Sequence, residues 1–324
     1  MPRPTAPPAR QLPVYFAGGT ESIFGIVTAP APAPVDGGEG SDRPGVVIAS
    51  GGLTGTSTVG RNQLYVRLAR DLAADGFTSV RFDYHGMGDS TGLLEEFRLD
   101  AEAPFVDDVL GAARCLQDHG AASTILLGKC FGSRMALSSA RELDALAGVI
   151  LIGPPVRDFG KGERTVARLV TELDTRDFLR KALRPAVVRN LADRRHRTVY
   201  LRAATAKVRA LASRLRQAPA AKGQEQPFWV SPKFFDPLEQ LVNRGVPVQF
   251  IYGVDDDFYQ DFRKASGHGR MAELLQRAGP LVEVTEIEGL VRGFAHASGQ
   301  LAIIAAAREW LQRLGTAPQP SLPA

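Results

Sequence analysis

The residues best suited to covalent chemistry are Gly128-Lys129-Cys130-Phe131-Gly132. They stand between an apolar run at 124–127 and a helical pattern at 131–143. Where a strand turns directly into a helix, the middle residue of such a five-residue run is held at positive φ. The residues two to either side must be small so that strand and helix can pass closely. Here the middle residue is Cys130. A thiol at a helix N-terminus meets the positive end of the helix dipole, which favours the nucleophilic thiolate. The amide of Phe131 then points to where an oxyanion forms when that thiolate attacks a carbonyl. Two glycines also arise by coincidence in a chain that has 33, and Cys130 read alone is a small buried hydrophobe. Its place between strand and helix favours the catalytic reading. Cys115 lies inside a predicted helix, between Arg114 and Leu116, and reads as structural.

Such a turn needs a sheet to hold it. Residues 14–16 and 22–28 read as a hairpin around Gly18-Gly19, followed by a Pro/Gly/Asp-rich loop. Strands at 45–50, 78–84, 124–127 and 148–152 then alternate with helices at 61–74, 102–119 and 131–143. After an interruption come strands at 247–252 and 281–287, a mostly helical stretch at 258–278 and a helix at 300–314. A run such as Val149-Ile150-Leu151-Ile152 is apolar at every position, so both of its faces are buried. This alternation predicts an α/β class fold, a doubly wound and mostly parallel sheet.

Composition bounds the answer. With 324 residues, 44% hydrophobic and 23% charged, the chain is globular, and two cysteines exclude a disulfide scaffold. No run of about 18 apolar residues predicts a membrane span. The proline-rich start at 1–13 has no apolar core of a secretory signal, so the expected compartment is the cytoplasm, with both thiols reduced. Residues 1–13 and 317–324 read as disordered tails, 14–155 and 236–316 as the core, and 156–235 as a basic helical cap.

A thiolate that attacks a carbonyl works with a base and with an acid that orients the base. The strand at 247–252 is followed by Asp255, Asp256 and Asp257, which leaves the acid open by one position. Of five histidines, His85 follows the strand at 78–84, His119 ends a helix, His196 lies in the Arg-rich stretch and His268 in a Gly-rich turn. Only His296 stands between the last strand and the last helix. The loop Ser50-Gly51-Gly52-Leu53-Thr54-Gly55 would bring a second amide, that of Leu53, to the oxyanion.

With this constellation the chain resembles the α/β-hydrolase superfamily over nearly all of 14–315. Phe82-Asp83-Tyr84-His85-Gly86-Met87-Gly88-Asp89-Ser90 resembles the D-x-(R/H)-G-x-G-x-S loop of serine aminopeptidase-like and exosortase-associated hydrolases, where that loop is mainly structural. The resemblance implies the α/β-hydrolase fold with a helical cap insertion, and it places the acid three residues after Gly253, at Asp256. The usual G-x-x-H-x-F pattern laid on Gly289 puts Arg292 at the base, whereas a slightly longer loop puts His296 there. Cys130 in place of serine is similar to dienelactone hydrolases, polyhydroxyalkanoate synthases and the aminoacyltransferases that serve carrier proteins in natural-product assembly.

Residues 156–226 hold 18 Lys and Arg against 7 Asp and Glu, net +11 in a chain of net +4, so the remainder is net −7. A GC-rich genome or a solvated helical face explains basic residues in general, but not their concentration here. Acyl-carrier proteins are acidic and coenzyme A carries phosphate, so a basic cap would steer either one. Thiolate attack on a thioester is nearly isoenergetic and keeps the acyl group activated. The expected function is therefore acyl transfer or thioester hydrolysis through an acyl-Cys130, with His296 as base, Asp256 orienting it, and the Leu53 and Phe131 amides on the oxyanion. Two alternatives stand beside it. One is an esterase or lactone hydrolase of the dienelactone type; the other is a catalytically silent binding protein, which Arg292 would favour. No metal-ligand spacing, cofactor motif or aromatic stacking pattern for nucleic acid is present.

Overall fold

A computed structural model describes residues 9–31, 43–51, 58–93, 105–158, 230–289 and 297–316. Among these are strands β1 (Arg10–Gly18), β2 (Glu21–Ala29), β3 (Gly45–Ala49), β4 (Ser79–Phe82), β5 (Thr124–Lys129), β6 (Leu146–Ile152), β7 (Val248–Gly253) and β8 (Val282–Ile287). They form one sheet in the order β1-β2-β4-β3-β5-β6-β7-β8. The β1–β2 hairpin joins β4 antiparallel, and all pairings from β4 through β8 are parallel. The helices are α1 (Leu64–Ala74), α2 (Phe105–Asp118), α3 (Phe131–Ala140), α4 (Pro232–Asn243), α5 (Asp257–Ser266), α6 (Gly269–Ala278) and α7 (Ala297–Thr316).

The strands are apolar on both faces because helices cover both. Leu64, Leu68 and Leu72 of α1 and Ile303, Ala307 and Leu311 of α7 pack in one cluster with Val46, Ile48, Ile125, Leu127, Ile150 and Ile152. Helices α2, α3 and α4 pack together on the remaining strand faces. This is the mostly parallel, doubly wound sheet that the alternation predicts. No helix among the described residues is long and apolar enough to cross a membrane.

Three boundaries differ from those read in the sequence. β1 begins at Arg10, so residues 10–13 belong to the sheet and not to a tail. An edge strand tolerates Pro13, whose composition otherwise reads as coil. Helix α4 starts at Pro232, with Ser231 accepting the Lys233 N–H at 3.1 Å, so residues 232–235 continue a core helix. The helical stretch at 258–278 is two helices, α5 and α6, separated at Gly267 and His268. The rest of the basic segment, 159–229, lies outside the described residues.

The loop after β4 braces the α2 side. His85 is buried; its backbone N–H and its Nδ1 both lie 2.9 Å from Oδ2 of Asp108 on α2, and its ring stacks on Phe105 at 4.6 Å. Burial pushes the Asp108 carboxyl up to about 6, against the downward pull of its bonds to His85. Between about pH 4 and 6 the folded chain therefore holds a proton on Asp108 that an unfolded carboxyl has lost. Stability contributed by this group is present below that window and declines as pH rises through it, by about 2 kcal/mol. Urea unfolding from pH 4.5 to 6.5 should show the decline in the natural chain and lose it in Asp108→Asn, which cannot titrate.

Candidate active site

Parallel strands bring their C-terminal ends to one edge of the sheet, where Cys130 follows β5 and Asp256 follows β7. Cys130 follows β5 and opens α3 at φ 51°, ψ −110°. Its N–H donates to the Ile152 carbonyl at 2.8 Å, and its own carbonyl accepts the Ser133 N–H at 3.1 Å. The Ser133 hydroxyl donates to the Gly128 carbonyl at 2.8 Å, closing the turn on itself. Cys130 is half-buried, and Phe131 is the first residue of α3, so its amide belongs to the helix N-terminus.

The two glycines have a steric reason. A Cβ on Gly132 would lie 2.1 Å from the Ala49 carbonyl oxygen and 2.5 Å from that of Ser50. A Cβ on Gly128 would lie 2.3 Å from the Gly132 carbonyl oxygen. The turn is thus pressed against the end of β3 with no room for a methyl group on either side.

Two tyrosines hold the exit of β3. The Tyr65 hydroxyl on α1 accepts the Gly51 N–H at 3.2 Å, and the Tyr84 hydroxyl after β4 donates to the Ser50 carbonyl at 3.2 Å. Burial raises the pKa of both phenols, and a negative charge on Cys130 raises that of Tyr65 further. The chain returns at Thr58, whose N–H donates to Asp83 at 3.0 Å and whose carbonyl accepts from Arg81 at 2.8 Å. Leu53 lies outside the described residues; both anchors of its loop, 50–51 and 58, are placed.

Of the three consecutive acids, Asp255 and Asp257 are exposed and Asp256 is buried. Asp256 precedes α5 in extended backbone, yet its side chain makes no cap bond to that helix. Beyond the strands, the Val254 N–H donates to the Ile287 carbonyl at 3.0 Å and the Asp255 N–H to that of Gly289 at 3.2 Å. The acid loop therefore runs beside the start of the segment that carries Arg292 and His296. Those two residues lie outside the described residues. Directly after them, Gln300 in the first turns of α7 is buried and donates to the Arg61 carbonyl at 3.0 Å.

The other histidines among the described residues are engaged or remote. His85 is held by Asp108. His119 meets the Cys115 carbonyl at 2.8 Å through Nδ1, and His268 precedes α6. Burial, reinforced by Asp118, pushes the Cys115 thiol up to about 11, in keeping with a structural cysteine.

Sequence reasoning misses Arg134. It lies on α3 with its side chain 1% exposed and binds the Asp158 carboxylate at 2.6 Å, the Pro155 carbonyl at 3.2 Å and the Ser231 hydroxyl at 3.0 Å. The Ser231 N–H donates to the Val156 carbonyl at 2.9 Å. One guanidinium thus ties the start of the elbow helix to both points where the chain leaves for and returns from 159–229. Tyr65 and Arg134 carry no local motif, and the motif around Tyr84 does not give its bond to Ser50; their distant partners reveal them.

A positive-φ turn between β5 and α3 of such a sheet is the elbow of the α/β-hydrolase fold. The model of the serine aminopeptidase, S33, hydrolase family matches residues 44–226, and the chain belongs to that family. No curated protein matches the sequence. Among solved structures, Est1E from Butyrivibrio proteoclasticus with ferulic acid bound is 14% identical, with 94% of this chain and 100% of that chain covered and a TM-score of 0.53. An esterase of Pyrococcus furiosus is 13% identical over 94% of this chain and 91% of that one, with a TM-score of 0.51. A serine hydrolase without lid from Xanthomonas campestris is 15% identical over 97% and 100%, with a TM-score of 0.52. These likenesses establish the α/β-hydrolase fold.

Gly132→Ala tests the packing of the turn. The added methyl meets backbone, which cannot swing away, so the variant should lose at least about 2 kcal/mol of unfolding free energy. Chemical denaturation against the natural chain reads this; an unchanged midpoint would contradict the close approach.

Proposed function

We propose that this hydrolase-family chain is a cysteine-dependent acyl-transfer enzyme, an acyl or aminoacyl transferase or a thioesterase, acting on thioesters of carrier proteins or coenzyme A. The observation that carries the reading is Cys130 itself, a nucleophilic side chain in the positive-φ turn that opens α3. In this reading His296 takes the thiol proton of Cys130, and the resulting thiolate attacks the thioester carbonyl. The negative charge passes to the carbonyl oxygen, where the amides of Phe131 and Leu53 receive it. Collapse of the tetrahedral intermediate breaks the carbon–sulfur bond of the substrate, and the departing thiolate takes a proton from His296. Asp256 orients the histidine and offsets its charge. The acyl-Cys130 then passes to water, a thiol, an amine or an alcohol, whose proton goes to His296.

Thioesters suit this nucleophile because exchange of one thioester for another costs little, whereas an oxoester or amide must climb to the acyl-cysteine. The basic segment 156–226 supports an acidic or phosphorylated donor through charge steering. The reading takes a reduced, cytoplasmic thiol. A second reading, hydrolysis of small esters or lactones by the same residues, is favoured by membership of a family of hydrolases.

Turnover of matched substrates separates them. Acyl-pantetheine thioesters should exceed the corresponding oxoesters at least tenfold in kcat/KM, and Cys130→Ala should lower thioester turnover by about a thousandfold. Oxoesters or lactones turned over faster than thioesters would favour the second reading.

A further inference from the structure

The residue before the nucleophile has no part in the chemistry above. Lys129 is the last residue of β5, and it shares a strand face with Ile125 and Leu127, which pack against α1 and α7. Its ammonium does not run out into solvent along that face. Nζ lies 3.7 Å from the point where a Cβ on Gly51 would stand, and the same point is 3.9 Å from the Cβ of Cys130. These two distances put the charge within about 8 Å of the Cys130 Cβ, inside the range over which salt leaves charges unscreened. Lys129 is therefore folded back over the exit of β3, at the residue whose amide Tyr65 binds.

The titratable groups around Cys130 make that placement consequential. Tyr65 on α1 and Tyr84 after β4 are kept neutral by burial and offer no charge. Asp256, three residues after β7, is buried. Among the described residues, the N-terminus of α3 and the Lys129 ammonium both supply positive potential for a thiolate.

We infer that Lys129 is a positioning residue that holds Cys130 in its thiolate form, through an ammonium seated at the β3 exit beside the nucleophile. The inference rests on the reading of Cys130 as the nucleophile. Its effect is electrostatic: a positive neighbour lowers the proton affinity of a thiol without touching the substrate. The aliphatic stem of Lys129 also covers apolar core, and Met at this position keeps the stem while removing the charge.

The test is the pH dependence of iodoacetamide alkylation at Cys130 in the full chain, read by peptide mass so that Cys115 is counted separately. In the natural chain the midpoint should lie below the ordinary thiol value of about 8.5. Lys129→Met should raise it by about one unit, leaving roughly tenfold less thiolate at pH 7. Lys129→Arg, which keeps the charge, should restore the natural midpoint. Lys129→Gln serves as a second charge-removing variant if Lys129→Met fails to fold. A low midpoint that is the same in the natural chain and in a folded charge-removed variant would overturn the role of Lys129 and leave Cys130 as nucleophile. An ordinary midpoint in the natural chain would overturn both.

Discussion

The close approach of the elbow to the end of β3 is the constraint on which the site depends. Gly132 lies against the carbonyls of Ala49 and Ser50, and Gly128 lies against Gly132, at distances that exclude a side chain at either position. With strand and helix locked this tightly, the residue between them has one way to go. Cys130 takes up φ 51°, an unfavourable backbone for a β-carbon-bearing residue, and its N–H is paid back by a 2.8 Å bond to Ile152 on β6. The same approach puts the thiol beside the loop that leaves β3. Cys130 and the exit of β3 at 50–51 are thus neighbours because two glycines let β3, β5 and α3 meet.

The rest of the architecture pins loops at their ends. Tyr84 and Tyr65 hold 50–51, and Asp83 and Arg81 hold Thr58. Backbone bonds from Val254 and Asp255 hold 287–289, while Gln300 holds the beginning of α7 to Arg61. Arg134 holds Asp158 and Ser231. The segments 52–57, 159–229 and 290–296 thus leave from and return to residues held by these bonds. Leaving the buried ones, such as Thr58 with Asp83 and Arg81 or Tyr84 with Ser50, unpaired would cost about 1–3 kcal/mol each.

How legible this was depends on the sequence distance over which each feature is encoded. The elbow occupies five consecutive residues, and its strand and helix are continuous with it, so motif and context are read together. The parallel sheet is legible from apolar runs alternating with helical periodicity. The residues alone leave the acid open among Asp255, Asp256 and Asp257 because three adjacent carboxylates differ only in which one the turn buries; the structure buries Asp256. The contacts of Tyr65, Tyr84 and Arg134 are not legible because their partners are 14, 34 and 21 to 97 residues away. The first residues of β1 read as tail because proline masks an edge strand that tolerates it.

The functional account turns on one substitution of chemistry within a hydrolase frame. A thiol in the elbow changes which acyl donors are within reach and allows the acyl group to be kept rather than lost to water. The intact mass of the protein after brief exposure to acyl-pantetheine thioesters tests this most directly. The account predicts a mass increase equal to the acyl group in the natural chain, located at Cys130 and absent from Cys130→Ala. No adduct in the natural chain, with the thioesters left unconsumed, would contradict it.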